Sequence, residues 1–394
     1  EDLFFNYDFD NLKIKQSNYG KAIRLKNALG RYSEALKHSA DRNLNYSQLK
    51  VTLDCANGAS YKVAPEVLFE LGLDLHTIGN NPSGTNINQN CGSLFPYKAS
   101  EIVKKKRCDI GICLDGDGDR VIIIDEKGNV LNGEEIIFIF AKHYLHEKKI
   151  KKGSALVTNE VANHGLDIAL KKLGLKLKRV KVGDKNILKE ILDKKYFFGG
   201  EPSGHFIFKD DILIGDGMAT AIRLLTLILK EKKKLSVLRN GINLLEELNI
   251  NQRIDRERFY LNQESIYKKL NNLLKNLDIY YNIRPSGTEP LLRVNLQYDK
   301  RNIRVGTLNK LKKQIIVSIV GAGVIGAGWA ARMLASGLIV KAYDPSENAR
   351  KQLLLNTRTA FKSLRKLGVN KRAKLSNLKI YSKLEDSLTS TSFV

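Results

Sequence analysis

Ile110-Gly111-Ile112-Cys113-Leu114-Asp115-Gly116-Asp117-Gly118-Asp119-Arg120-Val121-Ile122-Ile123-Ile124 is the stretch on which the reading of this chain turns. Two apolar runs flank a hexapeptide of alternating acid and glycine, the pattern of strand, tight loop and strand. Three carboxylates leave one turn, and the glycines between them let the backbone bend until the oxygens converge. Unpaired, such charges repel one another. A hard divalent cation with oxygen ligands resolves the conflict, and Mg2+ suits a site that keeps room for a phosphate. The expected metal ligands are therefore Asp115, Asp117 and Asp119. An EF-hand also opens on alternating acids, and Glu126 falls where its last carboxylate would stand. That loop needs glycine at its sixth position, where this chain has Arg120, and helices on both sides, where this chain has strands. A solvated acidic turn is the other alternative, and two flanking strands with a closing arginine argue against it.

Working outward, Leu49–Asp54 reads as a strand, Ala64–Leu71 as a helix closed by Gly72, and Leu73–Ile78 as a second strand. A loop rich in Asn, Gly, Pro and Ser covers Gly79–Ser93, and a helix at Lys98–Lys106 leads into the acidic segment. This alternation predicts an α/β domain with a largely parallel sheet. It restarts at Gly133: helix Glu134–His146, strand Ser154–Thr158, helix His164–Leu173, strand Lys176–Val182, a helix from Lys185 to Asp193, and helix Gly217–Lys230. From Asn249 the texture changes to short strands, one helix at Gln263–Leu274 and a loop at Arg284–Pro290, which predicts a small α+β domain.

The 394 residues suffice for two to four domains with real cores. A hydrophobic content of 43% is ordinary for a globular chain, and no apolar stretch is long enough to span a bilayer. The first residues, Glu1-Asp2-Leu3-Phe4-Phe5, do not read as a secretory signal. Cys55, Cys91, Cys108 and Cys113 form no CxxC pair, which argues against a zinc site and a disulfide scaffold and leaves a reducing cytoplasm as the simplest setting. Lysine and arginine number 66 against 42 acids, a net charge of +24. Such a field attracts phosphorylated metabolites, acidic membranes or nucleic acid. The lysines are scattered along helix-like segments such as Lys148–Lys152 and Lys230–Lys234 without interleaved aromatics, so neither nucleic acid nor membrane is expected as a partner.

Three further loops complement the acidic one. Gly200-Glu201-Pro202-Ser203-Gly204-His205 places an acid, a hydroxyl and an imidazole in one turn, suited to gripping sugar hydroxyls, with a histidine able to move a proton. Arg284-Pro285-Ser286-Gly287-Thr288-Glu289, with Arg293 beyond it, combines hydroxyls, a flexible backbone and guanidinium groups suited to phosphate. Lys181-Val182-Gly183-Asp184-Lys185 stands at a strand-to-helix junction, where ligands of parallel sheets bind.

Together these motifs resemble the α-D-phosphohexomutases, most closely the branch acting on glucosamine phosphate, over roughly Tyr19 to Lys313. Gly20-Lys21-Ala22, Gly30-Arg31-Tyr32, Asp54-Cys55-Ala56-Asn57-Gly58-Ala59 and Asn86-Ile87-Asn88 followed by Cys91-Gly92-Ser93 belong to the same resemblance. It implies Mg2+ at Asp115, Asp117 and Asp119, and Arg120 close to the reacting phosphoryl group. It further implies sugar contacts at Glu201 and Ser203 with His205 beside them, substrate contacts at Gly183, Asp184 and Lys185, and a phosphate clamp of Arg284, Ser286, Gly287, Thr288 and Arg293. Similar enzymes relay a phosphoryl group from a phosphoserine to the sugar phosphate and recover the other one. They carry that serine in a Ser-His-Asn-Pro context in a first domain. No such tetrapeptide occurs here, so the expectation is a chain lacking that domain, inactive alone, with a separate first-domain polypeptide as its natural complement. Lys185 also departs from the arginine usual in the branch.

The tail differs in kind. Ile315–Val320 is an apolar strand followed by Gly321-Ala322-Gly323-Val324-Ile325-Gly326, a helix at Ala327–Ala335 and a strand at Leu338–Tyr343 ending on Asp344. Strand, glycine fingerprint, helix and an acid about 20 residues on are the parts of a dinucleotide site, and the acid favours NAD. With Gly326-Ala327-Gly328-Trp329-Ala330, the tail is similar to the NAD-binding start of 3-hydroxyacyl-CoA and carnitine dehydrogenases, without the part bearing the catalytic histidine. The resemblance implies NAD contacts at Gly321, Gly323, Gly326 and Asp344, on a half sheet expected to be marginally stable.

The expected organisation is thus α/β throughout. A remnant or linker occupies 1–18, and two consecutive phosphohexomutase-type α/β domains occupy 19–132 and 133–245. A small α+β domain follows at 246–313 and a partial Rossmann βαβ appendage at 314–394. Two unrelated pieces meeting abruptly at Lys310–Gln314 suggest a fused reading frame. The first functional expectation is interconversion of hexosamine phosphates. A non-catalytic sugar-phosphate binding fragment and an NAD-dependent 3-hydroxyacyl-CoA dehydrogenase fragment are the alternatives.

Overall fold

The computed structural model describes residues 27–210, 213–253, 279–286, 290–299, 316–320, 324–366, 369–370 and 373–388, with residue 23 and isolated positions between 260 and 272. The residues fall into two compact units, 1–159 with 173–240, and 160–172 with 241–394.

In the first unit, α1 (Ala28–His38) precedes β1 (Lys50–Asp54), α2 (Val63–Glu70), β2 (Asp74–Ile78), α3 (Tyr97–Lys106), β3 (Ile110–Leu114), β4 (Val121–Asp125) and β5 (Val130–Leu131). The sheet order is β2-β1-β3-β4-β5. β1 pairs in parallel with β2 and with β3, whereas β3–β4 and β4–β5 are antiparallel. The largely parallel sheet expected from the alternation is therefore corrected to a mixed one. The six residues between β3 and β4 are too few for a crossover, so these strands can only fold back on each other. All five residues of β3 are buried, and Gly111 lets α3 close down, since a Cβ there would stand 2.9 Å from Val103 Cγ2.

The second sheet of this unit repeats the plan. It follows α4 (Gly133–His146), whose Asn132 and Glu135 form a reciprocal capping box. β6 (Ala155–Asn159) precedes β7 (Lys176–Val180), α6 (Asp184–Lys194), β8 (Phe198–Gly200), β9 (Phe206–Phe208), α7 (Gly217–Glu231) and the short α8 (Leu235–Leu238), while α5 (His164–Lys172), between β6 and β7 in the chain, belongs to the second unit. The order is β7-β6-β8-β9, parallel except for the β8–β9 hairpin. Phe140 of α4 anchors its core, with ring centroids 5.1 to 6.4 Å from Tyr144, Phe198, Phe206 and Phe208. Burying each such ring is worth about 1.5–3 kcal/mol. Edge strand β7 carries Lys176, Lys178 and Arg179, charges that discourage pairing with another chain.

In the second unit, β10 (Glu246–Arg253), β11 (Ile279–Pro285) and β12 (Leu291–Tyr298) form an antiparallel sheet of order β10-β12-β11. Residues 160–172 group with it because Asn163 Nδ2 donates to Leu245 O and Glu247 Oε1 (both 2.9 Å). The His164 ring also stacks 4.1 Å from that of Tyr280. The helix expected at Gln263–Leu274 lies mostly outside the described residues. The tail holds β13 (Ile316–Val320), α9 (Val324–Ala335), β14 (Ile339–Tyr343), α10 (Glu347–Lys366), β15 (Leu378–Tyr381) and α11 (Leu384–Leu388). Its strands are parallel in the order β13-β14-β15, the arrangement of one half of a doubly wound sheet.

Candidate active site

Both sheets of the first unit share one topological property. The chain begins in an interior strand, β1 or β6, steps to the edge strand β2 or β7 on one side, and returns to β3 or β8 on the other. Ligands of such sheets bind at the carboxyl ends of the strands where this reversal occurs. In the first sheet that point lies between Asp54 and Asp115, and in the second between Asn159 and Glu201. The two motifs with the sharpest chemistry therefore stand at the two switch points.

The loop between β3 and β4 is held from behind. Ala59 N donates to Gly116 O (2.8 Å) and Gly217 N to Gly118 O (2.9 Å). Gly118 takes φ +83°, and a Cβ there would meet Ser60 Oγ at 2.5 Å, so glycine is required twice over. The result brings one carboxylate oxygen each of Asp115, Asp117 and Asp119 within 4.8 Å of the others. Asp115 Oδ1 accepts from the backbone N–H of Gly118 and Arg120, at 3.1 Å each. Arg120 Nε stands 3.8 Å from Asp115 and 3.6 Å from Asp119. Asp119 Oδ1 is buried and accepts no hydrogen bond. Burial, followed by the hydrogen bond to Asp119 and the charges of Asp119 and Asp117, raises Asp115 from 3.8 to about 7. An oxygen-only donor set with an orphaned buried oxygen and a carboxyl pushed that far fits a hard divalent cation such as Mg2+.

The loop after β8 is tied to the first. Val121 N donates to Gly204 O (2.9 Å), and Arg120 and His205 form an antiparallel bridge. Gly204 has φ +90°, and a Cβ on it would stand 2.2 Å from Val121 O. His205 is buried, with Nδ1 3.2 Å from Asp119 Oδ2 and Nε2 without a partner. Its ring lies against Gly215, where a Cβ would come 2.0 Å from Nε2. The histidine expected beside the sugar thus touches a candidate metal ligand. Glu201 is buried. Its Oε1 accepts from Asn159 Nδ2 (3.0 Å) and from Gly183 N (3.4 Å), and its Oε2 from the exposed Ser203 Oγ (3.3 Å). Gly183, at φ +123°, precedes α6, while Asp184 and Lys185 open that helix and are exposed.

In the second unit, Arg284 and Arg293 face one another as paired residues of β11 and β12. Like charges directly opposite are unfavourable, and an anion between them removes the penalty. Ser286 is buried at the hairpin, its N–H donating to Leu291 O (2.7 Å). Gly287 and Thr288 lie outside the described residues, as do Gly321 and Gly323 of the tail. Gly326 lies in α9, and Asp344 follows β14 with Oδ1 accepting from Ser346 N (2.9 Å).

Sequence reasoning passed over three residues of this site. Asn159 ends a strand with no motif around it. Asp216 caps α7 through Ala219 N (2.9 Å) and accepts from Tyr32 OH (2.8 Å), an acid immediately before an apolar helix being the local signal. Gly215 is needed for the His205 ring alone. Glu126 bonds Ser236 rather than the acidic loop, which is how the structure disposes of the EF-hand alternative.

Residues 30–128 match phosphoglucomutase/phosphomannomutase alpha/beta/alpha domain II, residues 132–243 match domain III, and residues 316–394 match the NAD binding domain of 3-hydroxyacyl-CoA dehydrogenase. Phosphoglucosamine mutase from Geobacter sp. (strain M21) is 41% identical over 307 residues, covering 77% of this chain and 67% of the relative. That of Geotalea uraniireducens is 39% identical over 324 residues, 82% of this chain and 71% of the relative. Among solved structures, a phosphoglucomutase/phosphomannomutase family protein from Burkholderia thailandensis superposes with a TM-score of 0.57 at 19% identity, over 71% of this chain and 62% of the other. Aspergillus fumigatus N-acetylphosphoglucosamine mutase, in complex with GlcNAc-6P and magnesium, gives 0.56 at 18% identity, over 72% and 68%. These two likenesses show the fold. The chain thus spans roughly two thirds of the length of the relatives it matches.

Proposed function

The chain belongs to the phosphoglucosamine mutase family of intramolecular phosphotransferases, and from that premise we propose that it carries the metal and sugar-phosphate contacts for interconverting glucosamine 6-phosphate and glucosamine 1-phosphate. The observation that carries the proposal is the joining of the two switch-point loops by the Arg120–His205 bridge and the His205–Asp119 contact. The loop with the candidate cation triad and the loop with Glu201 are thereby linked within one unit, which supports the reading.

Asp115, Asp117 and Asp119 would hold Mg2+, which would supply charge screening for a phosphoryl group. Arg120 adds a guanidinium beside the same group, and His205 orients Asp119. Glu201 and Ser203 hold sugar hydroxyls, with Gly183, Asp184 and Lys185 at the neighbouring strand end. Arg284, Ser286, Gly287, Thr288 and Arg293 clamp a phosphate. In the relay that the resemblance implies, a phosphoserine gives its phosphoryl group to the sugar phosphate, forming a bisphosphate. The serine oxygen then takes the other phosphoryl group back. Ser-His-Asn-Pro does not occur among residues 1–394, so the proposal has the phosphoserine come from outside these residues. Four buried thiols without a disulfide suit a reducing cytoplasm. At the tail, Gly321, Gly323, Gly326 and Asp344 would hold NAD, with no hydride step assigned to them.

The test is calorimetric titration of the full chain with glucosamine 6-phosphate in Mg2+, followed by a turnover assay after adding a phosphorylated first-domain polypeptide. Saturable binding and isomerisation on mixing are expected. Binding without turnover would favour a non-catalytic binder, and the absence of binding would overturn the proposal.

A further inference from the structure

Glu201 is held by more donors than a sugar contact of its own needs, and the first of them comes from a residue that no motif marks. Asn159 is the last residue of β6, 3% exposed, on the strand that neighbours both β7 and β8. Its Nδ2 donates to Glu201 Oε1 at 3.0 Å across the reversal point of the sheet. Gly183 N reaches the same oxygen, and Ser203 Oγ reaches Oε2. An ionised carboxylate offers about four acceptor positions, and three are occupied.

We propose that Asn159 is a positioning residue for sugar recognition, fixing the Glu201 carboxylate so that Oε2, beside the exposed Ser203, keeps the one acceptor position left for a sugar hydroxyl or ammonium group. Asn159 acts on the substrate through Glu201. The inference deepens the sugar-phosphate reading and rests on it. Two consequences follow from the geometry. First, the carboxylate can read one donor of the hexose rather than chelate two through both oxygens, because Oε1 is occupied. Second, the loop after β8 and the turn at Gly183 are bound to the end of β6 through the Glu201 side chain, so losing Asn159 removes this side-chain tie to β6 and leaves only the longer Gly183 N–H bond on Oε1. The Asp115–Asp119 loop is held by its own backbone and by Ala59 and Gly217 at the switch point of the other sheet, so metal binding is a built-in control.

The experiment titrates the full chain with Mg2+ alone and then with glucosamine 6-phosphate in saturating Mg2+, for wild type, Asn159→Ala, Glu201→Ala and the double variant. Asn159→Ala should weaken sugar-phosphate binding about tenfold, the loss typical of a buried hydrogen bond to a charged group. Mg2+ affinity should stay within about twofold, since the three ligands and their supports are intact. In the Glu201→Ala background, Asn159→Ala should add no further loss. Additive losses, or an unchanged affinity in Asn159→Ala, would overturn the positioning role. Ligand-free crystal structures of wild type and Asn159→Ala read the same claim without any sugar: a Glu201 carboxylate that stays in place in the variant also overturns it. If wild type itself binds no hexosamine phosphate, the functional reading fails, while the crystallographic comparison still decides whether Asn159 positions Glu201.

Discussion

The acidic loop after β3 and the loop after β8 occupy equivalent places in two sheets of similar plan, yet their carboxylates are supported differently. Glu201 receives three donors. The three aspartates instead crowd one another: Asp119 Oδ1 is buried with no hydrogen bond, and Asp115 is raised to about 7. One loop is finished by the protein and ready for a neutral or cationic group of the ligand. The other gathers three carboxylates with one guanidinium beside them, a set that could hold a cation. At Asp115 burial acts first and the neighbouring aspartates add to it, outweighing the two backbone donors that reach its Oδ1.

The largest break in this comparison comes from Asp117→Ala. Asp117 is exposed and receives no hydrogen bond among the described residues, so its removal leaves the loop's backbone supports intact. Losing a direct ligand should cost at least as much as losing an outer support, on the order of 100-fold or more in Mg2+ affinity by calorimetry. Unchanged affinity would remove the metal from this loop. Glu201 should be indifferent, and direct binding of the sugar phosphate without metal should stay as weak in the variant as in wild type.

A pH series separates the loops next. The Asp115 carboxyl is held protonated in the folded, metal-free chain up to about 7. In the unfolded chain it titrates near 3.8. Between these values the folded state binds more protons than the unfolded one, so stability falls as pH rises from about 4 to about 7 and levels off above. The thermal midpoint of metal-free protein should therefore drop across that window, by about 2–4 °C for each kcal/mol lost. Mg2+, which binds the ionised form, should raise the midpoint at pH 8 far more than at pH 5. In Asp119→Asn the neighbouring charge is gone, and the window should shrink. A metal-free midpoint that rises between pH 5 and pH 7 would contradict the crowding of this loop.

What the sequence made legible follows the same divide. The acidic loop is local: alternating acids and glycines, flanked by β-forming runs, determine its conformation within fifteen residues, and the structure returns it with its oxygens together. Most longer strands and helices of both sheets were legible for the same reason, their periodicity being short-range, whereas the short strands Val130–Leu131, Phe198–Gly200 and Phe206–Phe208 were not. The sugar loop is assembled across the fold. Asn159 meets Glu201 only because β6 and β8 pair, and Tyr32 meets Asp216 only because α1 packs near the start of α7. No window of sequence contains either pair. His205 was marked by its motif, but its contact with Asp119 depends on the bridge to Arg120 and on the missing side chain of Gly215. The mixed sheet was in principle legible from the six-residue connection between β3 and β4, which excludes a parallel crossover.

The smallest effect expected sharpens the comparison on the sugar side. Ser203 is exposed, and its hydroxyl supplies one of three donors to Glu201, at 3.3 Å, the oxygen being Oε2. Ser203→Ala removes that donor without opening a cavity, since water replaces the hydroxyl at an exposed position. Asn159 and Gly183 continue to hold Oε1, so the carboxylate keeps its orientation. The loss in sugar-phosphate affinity should therefore stay at about 0.5–1.5 kcal/mol, twofold to about tenfold, the range of a single hydrogen bond. It should be smaller than that of Asn159→Ala, whose donor is buried where water cannot substitute. Mg2+ affinity and the thermal midpoint should not move. If Ser203→Ala costs more than Asn159→Ala in the same titration, the exposed hydroxyl carries the recognition, and the carboxylate is held by the ligand rather than by the fold.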